Sequence, residues 1–357
     1  MKFKSSLLVV SGIVVSAFTA GGCGGSSSAL VGGSGTGKFV QTNLVSDIPG
    51  LASVTDSHLV NAWGISSSPN GPFWISDNGP GLSTVYSGAG AIQPLVVTIP
   101  AAGGASNGPV SGQAFNSTID FVISGSTKAL FLFDNEDGVI SAWNGGTNAV
   151  IVADQSSTGA VYKGLAICST LGANYLYATN FNSGKVDVFD GSFNYVKSFT
   201  DPGVPSGYAP FGIAAVNGLV YVTFALQNGA KHDDVAGPGN GYVDVFNPDG
   251  TLNQRLVSRG ALNSPWGMAV APSGFGHVGG QLLVGNFGDG RINAYSLSTG
   301  QFLGALANST GVSLSIDGLW GLSFGNGGSA GATSVLYFTA GPQHESHGLF
   351  GSISSLP

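Results

Sequence analysis

Residues 264–300 read SPWGMAVAPSGFGHVGGQLLVGNFGDGRINAYSLSTG, and they predict one unit of a repeated β-sheet. The unit opens with an aromatic residue and a glycine, Trp266-Gly267, at the start of a first strand. A second strand, 281–284, is apolar, and a third, 291–295, alternates apolar and polar side chains after a glycine-rich turn. Short apolar runs bounded by Gly, Asn, Asp and Ser are typical of β-strands joined by tight turns.

Five other stretches repeat this pattern. They are residues 62–88, 117–146, 162–191, 210–229 and 319–353. The second of these lacks the opening glycine, and the third strand of the fourth resumes only at residue 241. Self-similarity at a period of about 40–55 residues is typical of propellers, in which small sheets bury their faces against one another around an axis. The sequence therefore predicts an all-β fold, a six-bladed β-propeller.

The last copy supplies three strands and lacks a fourth. An apolar-polar strand, KFVQTNLVSD, stands unassigned at residues 38–47. An outer strand taken from the other end of the chain would close the ring and cover an open sheet edge. We expect this N-terminal strand to pair with the last blade.

The segment before this strand indicates export. Residues 1–23 combine a basic start with a short apolar run and end at Cys23, which resembles a bacterial lipoprotein signal and lipobox. Residues 24–37 have the Gly/Ser composition of a flexible linker, so the propeller domain is expected over 38–357. The expected location is outside the cytoplasm, with a lipid anchor at Cys23 in the outer membrane, at the cell surface or in the periplasm. The alternative is an ordinary signal peptide in which Cys23 has no role.

Composition excludes several classes of function. The net charge is −7 and the sequence contains no basic run, so nucleic acid is not an expected partner. With Cys23 acylated, Cys168 is left alone, which excludes a disulfide framework and suits a buried small side chain. The chain lacks a phosphate-binding Gly-Lys-Ser/Thr loop and a Cys-x-x-Cys pair.

The starts of the inner strands and the turns after the second strands lie on one face of a propeller, so this face is the expected site. In five of the six copies the inner strand opens with a glycine, and the residues directly before these glycines are Trp63, Lys163, Phe211, Trp266 and Trp320. An aromatic ring at the channel would suit a sugar or another flat ligand. The alternative is that the rings pack between blades. Asn61 lies near this step, and Asp77, Asn180 and Asn286 follow second strands; we predict that all of them contribute to ligand binding.

Histidines and carboxylates are expected on the same rim. A long loop carries His232, Asp233 and Asp234, in which the imidazole is a candidate general base. His58, His344, Glu345 and His347 are candidate ligands of a divalent metal, because neutral imidazole binds transition metals. The alternative for both groups is that they are solvated loop residues. The sequence does not identify a cofactor other than this candidate metal.

The steps Ser264-Pro265-Trp266-Gly267 and Ala209-Pro210-Phe211-Gly212 resemble those of NHL-type repeats. Gluconolactonase-like propellers are similar and bind a catalytic metal through Asn and Asp at this step, where this chain has mostly aromatic residues. The loop KHDDVAGPGNG at 231–241 and the ending YFTAGP…HGLFGSI at 337–353 resemble an uncharacterised family of exported bacterial propellers, some with PEP-CTERM sorting tails. That resemblance implies the fold and export, and no activity.

The sequence thus predicts a lipid-anchored binding or interaction module, with a small molecule, glycan or protein as its partner. A metal-dependent hydrolase or lactonase using the same face is the second hypothesis, and a structural envelope protein is the third.

Overall fold

The computed structural model describes residues 38–170 and 172–356. The predictions for the signal peptide, Cys23 and the linker concern residues outside this part of the chain. Within it, three-residue 3-10 turns occur at Ala102–Gly104, Ser156–Thr158 and Gly276–Val278, and strands make up the regular structure. None of the helices described there has the length and hydropathy of a membrane span.

The strands form six sheets, each ordered from the central channel outward. After β1 (Phe39–Ser46) and β2 (Val54–Thr55), the first blade is β3 (Ala62–Ser67), β4 (Phe73–Asp77), β5 (Leu82–Tyr86) and β6 (Ile92–Thr98). The second blade is β7 (Val110–Phe115), β10 (Phe131–Asn135), β11 (Val139–Trp143) and β12 (Val150–Asp154), with a hairpin of β8 (Val122–Ser124) and β9 (Thr127–Lys128) inserted after its inner strand. The third is β13 (Tyr162–Thr170), β14 (Ala173–Asn180), β15 (Lys185–Phe189) and β16 (Tyr195–Phe199).

The remaining blades follow the same order. The fourth is β17 (Tyr208–Val216), β18 (Leu219–Leu226), β19 (Tyr242–Phe246) and β20 (Leu252–Ser258). The fifth is β21 (Pro265–Val270), β22 (Leu282–Asn286), β23 (Ile292–Tyr295) and β24 (Phe302–Ala305). The sixth is β25 (Leu319–Phe324), β26 (Val335–Ala340) and β27 (Leu349–Ser355), completed by β1 and then β2. The inner strands contact one another in a closed ring, so the predicted six-bladed propeller is confirmed.

The N-terminal strand closes the last blade, as predicted. β1 runs antiparallel to β27, from the pair Phe39 and Ser355 to the pair Ser46 and Leu349. Phe39 is buried in the core between the fifth and sixth blades, and its backbone N–H donates to Ala307 O at 2.8 Å. One strand therefore completes a sheet and also ties it to the preceding blade.

The second copy differs from its predicted form. Its inner strand is β7, upstream of residues 117–146, and the step that appeared to be lost is Ser111-Gly112. The inserted hairpin separates β7 from β10 by fifteen residues, 116–130, and this spacing hid the glycine from a search for the repeat. Every blade therefore keeps a glycine at this step.

Close packing of the inner strands requires that glycine. A Cβ added to Gly267 would lie 2.3 Å from the backbone oxygen of Trp320 in the sixth blade, and one added to Gly321 would lie 2.7 Å from that of Trp63 in the first. Both distances are shorter than real Cβ contacts, so a side chain would force neighbouring blades apart. The glycines surround a cavity of about 150 Å³ on the channel axis.

The strand register shifts at this step in each blade, and in the second, fourth and sixth blades a second-strand side chain accepts a hydrogen bond from the glycine N–H. Gly321 N–H donates to Thr339 Oγ1 at 2.8 Å. In the second blade the acceptor is a carboxylate, because Gly112 N–H donates to Asp134 Oδ1 at 2.6 Å. Burial raises the pKa of Asp134 to about 7, against hydrogen bonds from Ser111 and Gly112. The second blade thus places an acid where the fourth and sixth blades use Thr223 and Thr339.

Candidate functional site

Strand pairing brings the predicted site positions to one end of the channel. The start of each inner strand pairs with the end of its second strand, as in Ala62 with Asp77 and Pro265 with Asn286. Side chains at the aromatic-glycine step and in the turn after the second strand therefore share one mouth. The antiparallel register is the physical reason for the expected common face.

An aromatic plug fills the channel beneath this mouth. It consists of Trp63, Phe181, Phe211, Trp266, Phe287 and Trp320. Trp320 is the centre of the plug, with Trp63 stacked on it at 3.7 Å between ring centroids and Phe287 at 4.1 Å. All of these rings except Phe287 are buried. The tryptophans pack against one another and do not line an open funnel, so a ligand at this mouth would meet polar groups above them.

A set of polar side chains, the mouth cluster, covers the plug. It comprises Asn61, Asn78, Glu136, Lys163, His232, Asp233, Asp234 and Glu345. Asn61 joins the two layers, because its Oδ1 accepts from Trp63 Nε1 at 2.9 Å and from Trp320 Nε1 at 3.3 Å. Its Nδ2 donates to Glu345 Oε2 at 2.9 Å and to Asn78 Oδ1 at 3.2 Å.

Lys163 is the cation of the mouth cluster. Its side chain is 2% exposed, and its ammonium bonds Glu136 Oε1 and lies 3.7 Å from Asp233 Oδ1. The same nitrogen lies 5.1 Å from the ring centroid of Trp63, within cation–π range. Glu136 is held from its other side, because Asn78 Nδ2 donates to Glu136 Oε2 at 2.9 Å. Lys163 was predicted to contact a ligand, and in the structure it forms an internal ion pair with Glu136.

Carboxylates outnumber cations in this cluster. It holds the carboxyl groups of Glu136, Asp233, Asp234 and Glu345 and the single ammonium of Lys163, which contacts those of Glu136 and Asp233. Burial raises the pKa of Glu345, and the charges of Glu136 and Asp234 act in the same direction. Burial also raises the pKa of Asp234. The mouth cluster holds more carboxylates than cations, so it favours a bound positive charge.

One group in the cluster has the composition of a metal site. Within the described part of the chain, the set of three or more His, Cys, Asp or Glu side chains with ligand atoms within 4.8 Å of one another is Glu136, His232 and Asp233. His232 Nδ1 lies 2.7 Å from Asp233 Oδ1. Although partial burial raises it, the hydrogen bond with His232 and the charge of Lys163 lower the pKa of Asp233 below its usual value.

The other predicted metal ligands do not meet as a set. His58 Nδ1 lies 2.9 Å from Asp56 Oδ1, and His347 Nδ1 lies 2.7 Å from Asp47 Oδ2. Glu345 turns toward Asn61, and His344 is exposed. His58 and His347 each pair with an acid of their own surroundings. The mouth cluster therefore contains His232, Asp233, Asp234 and Glu345 from the two predicted groups, and His58, His344 and His347 are not part of it.

The predicted residues at the ends of the second strands lie next to turns and interact with their neighbours there. Asn180 Nδ2 donates to Asp187 Oδ2 at 2.9 Å, and Asn286 Nδ2 donates to Ala261 O at 2.8 Å. Asp77 is buried, and burial raises its pKa well above the usual value. Asn180 and Asn286 support the backbone beneath the mouth through these and similar bonds, as Asn commonly does in turns.

Sequence reasoning missed Glu136 and Asn78 as site residues. Both belong to turns after second strands, next to the predicted Asp77 and in the run Asp134-Asn135-Glu136-Asp137. Counting one residue further from the strand end identifies them, because the last strand residue points into the blade and the next one reaches the mouth. Phe181 and Phe287 occupy the same position in the third and fifth blades. The residue directly after each second strand is therefore the sequence signal that identifies these two residues together with Asn78 and Glu136.

The opposite end of the channel offers a different surface. A depression of about 650 Å³ is lined by side chains such as Ile65, Phe115, Leu165 and Ser169. None of the residues that line it is charged. Ionic chemistry on the channel axis therefore belongs to the mouth cluster.

Comparisons with known proteins agree with this fold. The chain is 33% identical over 326 residues to "Uncharacterized protein R648" of Acanthamoeba polyphaga mimivirus, covering 87% of this chain and 78% of that protein. "Uncharacterized protein L690" of the same virus is 35% identical over 328 residues, covering 87% and 84%. No family model matches. These relatives are viral, so the bacterial origin and sorting tails implied by the resemblance stay predictions.

Solved structures share the architecture. Virginiamycin B lyase from Staphylococcus aureus aligns with a TM-score of 0.52 at 12% identity, over 89% of this chain and 99% of that chain. A glucose dehydrogenase aligns with a TM-score of 0.54 at 11% identity, over 89% and 100%. Identities this low show the fold alone. The two viral proteins are 33% and 35% identical over 87% of this chain. Because of that identity and coverage, the chain belongs to the family that contains R648 and L690.

Proposed function

We propose that this protein is an exported, lipid-anchored binding module that holds a small, positively charged ligand at the mouth cluster. The observation that carries the proposal is the burial of Lys163 among four carboxylates above an aromatic plug. Burying charged groups costs free energy, and the fold does not need them, since the aromatic plug and the glycine steps already close the channel. A mouth with excess negative charge and a partly exposed Phe287 suits a cationic ligand.

Backbone strain at the same place supports this proposal. Gln343, His344 and Glu345 have φ values of 55°, 57° and 65°, so three successive non-glycine residues adopt the left-handed conformation. Each costs roughly 1–2 kcal/mol. The strained turn places Glu345 against Asn61. Strain of this kind concentrates at sites where a side chain has to be aimed for function.

Tryptophan fluorescence tests the proposal directly, because Trp63 and Trp320 hydrogen-bond to Asn61 in the mouth cluster. Titration with arginine amide, putrescine or choline should give a saturable change in emission, and glucose or maltose should give none. The variant Asp233→Asn should weaken the response. Asp249→Asn, which removes an exposed acid from a turn of the fourth blade, is the matched control. A response that is absent, or equally weak in both variants, would show that the mouth is not the site.

The location is a separate part of the proposal. The composition of residues 1–23 supports export, and Cys23 supports acylation. The variant Cys23→Ala should move the protein from the membrane fraction to the soluble fraction of the producing cell and abolish labelling by palmitate. Equal membrane association of both forms would count against a lipid anchor.

A metal-dependent hydrolase or lactonase is the second candidate. The group of Glu136, His232 and Asp233 favours it, since a metal held there would keep open positions for water and substrate. Hydrolysis of γ-lactones or p-nitrophenyl acetate should then require added metal and should be lost in Asp233→Asn. Turnover that survives both EDTA and this substitution would exclude the mouth as a hydrolytic centre.

A further inference from the structure

We propose that Glu136, His232 and Asp233 bind one divalent transition-metal ion of the zinc class at the solvent side of the mouth cluster. The inference rests on the proposed function in one respect, which is that both use this mouth. It names an inorganic ion in addition to the organic ligand.

The geometry is close to that of a coordination sphere. Tetrahedral zinc bonds nitrogen and carboxylate oxygen at about 2.0–2.2 Å, so its ligand atoms lie about 3.3–3.6 Å apart. The three ligand atoms here lie within 4.8 Å of one another. A movement of at most about 1.2 Å brings the most distant pair into range. His232 and Asp233 can make that movement because their side chains are 46% and 62% exposed.

The surrounding residues fix the position of the Glu136 carboxylate and leave the side chains of His232 and Asp233 free to adjust. Glu136 is held by Asn78 and Lys163, so its carboxylate presents a defined position. Partners that orient a ligand from behind are the usual support of a metal site. His232 and Asp233 belong to the long loop of the fourth blade, so they reach the ion from a different blade than Glu136 does.

Charge favours the ion over the present arrangement. Among residues 38–170 and 172–356, the basic groups that contact Asp233 are His232 and the ammonium of Lys163, and at 3.7 Å the contact with Lys163 is weak. A metal ion would replace it at Asp233, while Lys163 keeps its bond to Glu136. The cluster holds four carboxyl groups and one ammonium, so a divalent ion adds positive charge where acidic groups are in excess.

The ligand set selects among ions. Imidazole nitrogen suits zinc and its neighbours, whereas calcium prefers six to eight oxygen ligands, and this group offers three protein ligands with one nitrogen. With three protein ligands, positions for water or for a carbonyl or carboxylate of the organic ligand remain open. Zinc is therefore the expected ion, and calcium serves as the contrasting probe.

Isothermal titration calorimetry of the purified chain, stripped with EDTA, tests the site with Zn²⁺ alone. One ion should bind per chain, and Ca²⁺ at the same concentration should not bind. His232→Ala and Asp233→Asn should each weaken Zn²⁺ binding at least about tenfold. Both residues are on an exposed loop, so the variants should fold with unchanged circular dichroism. His277→Ala, in the fifth blade away from the mouth, is the matched control and should bind as the wild type does.

His344→Ala separates this site from the other histidines. If that substitution abolishes Zn²⁺ binding and His232→Ala does not, or if Zn²⁺ binds equally well to every variant, the assignment is overturned. The fluorescence titration with arginine amide, putrescine and choline in EDTA distinguishes the two proposals. A chain that responds there without binding Zn²⁺ refutes only the metal site, and a chain that binds Zn²⁺ without responding refutes only the organic ligand.

Discussion

Phe39 tests whether the N-terminal strand holds the ring together. Its ring is 1% exposed and packs 5.0 Å from that of Phe275, in the core between the fifth and sixth blades. Truncating a buried phenylalanine to alanine costs about 3–5 kcal/mol through lost burial and the cavity left behind. For a domain of this size, such a loss lowers the melting temperature by about 4–8 °C. We expect Phe39→Ala to have an effect of this order.

Val40 is the matched control, because it is the next residue of the same strand and faces the other way. It is 43% exposed, so Val40→Ala should change the free energy of unfolding by less than about 0.5 kcal/mol. Both variants keep the backbone pairing of β1 with β27. Urea denaturation followed by tryptophan fluorescence gives the two free energies. If Phe39→Ala costs no more than Val40→Ala, closure by this strand does not stabilise the propeller.

Three further changes test the channel and the mouth. Gly267→Ala should destabilise the protein by about 2–3 kcal/mol, because the new Cβ meets backbone of the next blade, whereas Gly274→Ala, which has open space, should be near neutral in the same urea titration. Burial raises the pKa of Asp134 to about 7, so the folded protein binds a proton that the unfolded chain releases near pH 4. The free energy of unfolding should therefore fall as the pH rises from about 4 to 7, and Asp134→Asn should show a smaller fall between pH 5 and 8. Lys163→Met should cost about 3 kcal/mol by leaving Glu136 buried without its partner. Lys163→Met combined with Glu136→Gln should recover at least half of that loss, and a double variant as unstable as the single one would contradict the ion-pair explanation.

Most of the fold could be predicted from local patterns. Alternating apolar residues between Gly/Asn/Asp turns identified the strands, and the unpaired strand at 38–47 identified the closure that β1 and β27 make. The second blade was misread because the inserted hairpin moved Ser111-Gly112 away from its partners. An insertion changes spacing without changing topology, so a method that depends on spacing fails there.

The candidate site was predicted in part. The sequence identified Asn61, Lys163 and the loop with His232 as occupants of one face, and the structure places them in the mouth cluster. It did not identify Glu136, which looked like one of many turn residues. It also did not reveal that Trp63 and Trp320 stack on each other, because contact between rings depends on the width of the channel and on rotamers that no repeat encodes.

The amino-acid sequence by itself determined the number of sheets, their strand order and the glycine at each step. Those features follow from local alternation, from the number of repeats and from the opening glycine, although the inserted hairpin hid the glycine of the second blade. Only the tertiary structure decided which charges meet. Asn61 and Glu345 lie 284 residues apart in the chain, and Glu136 and Lys163 lie 27 apart. Their contacts exist because ring closure brings the turns of separate blades to one axis, and the conformation of those turns depends on neighbours that the local sequence does not contain.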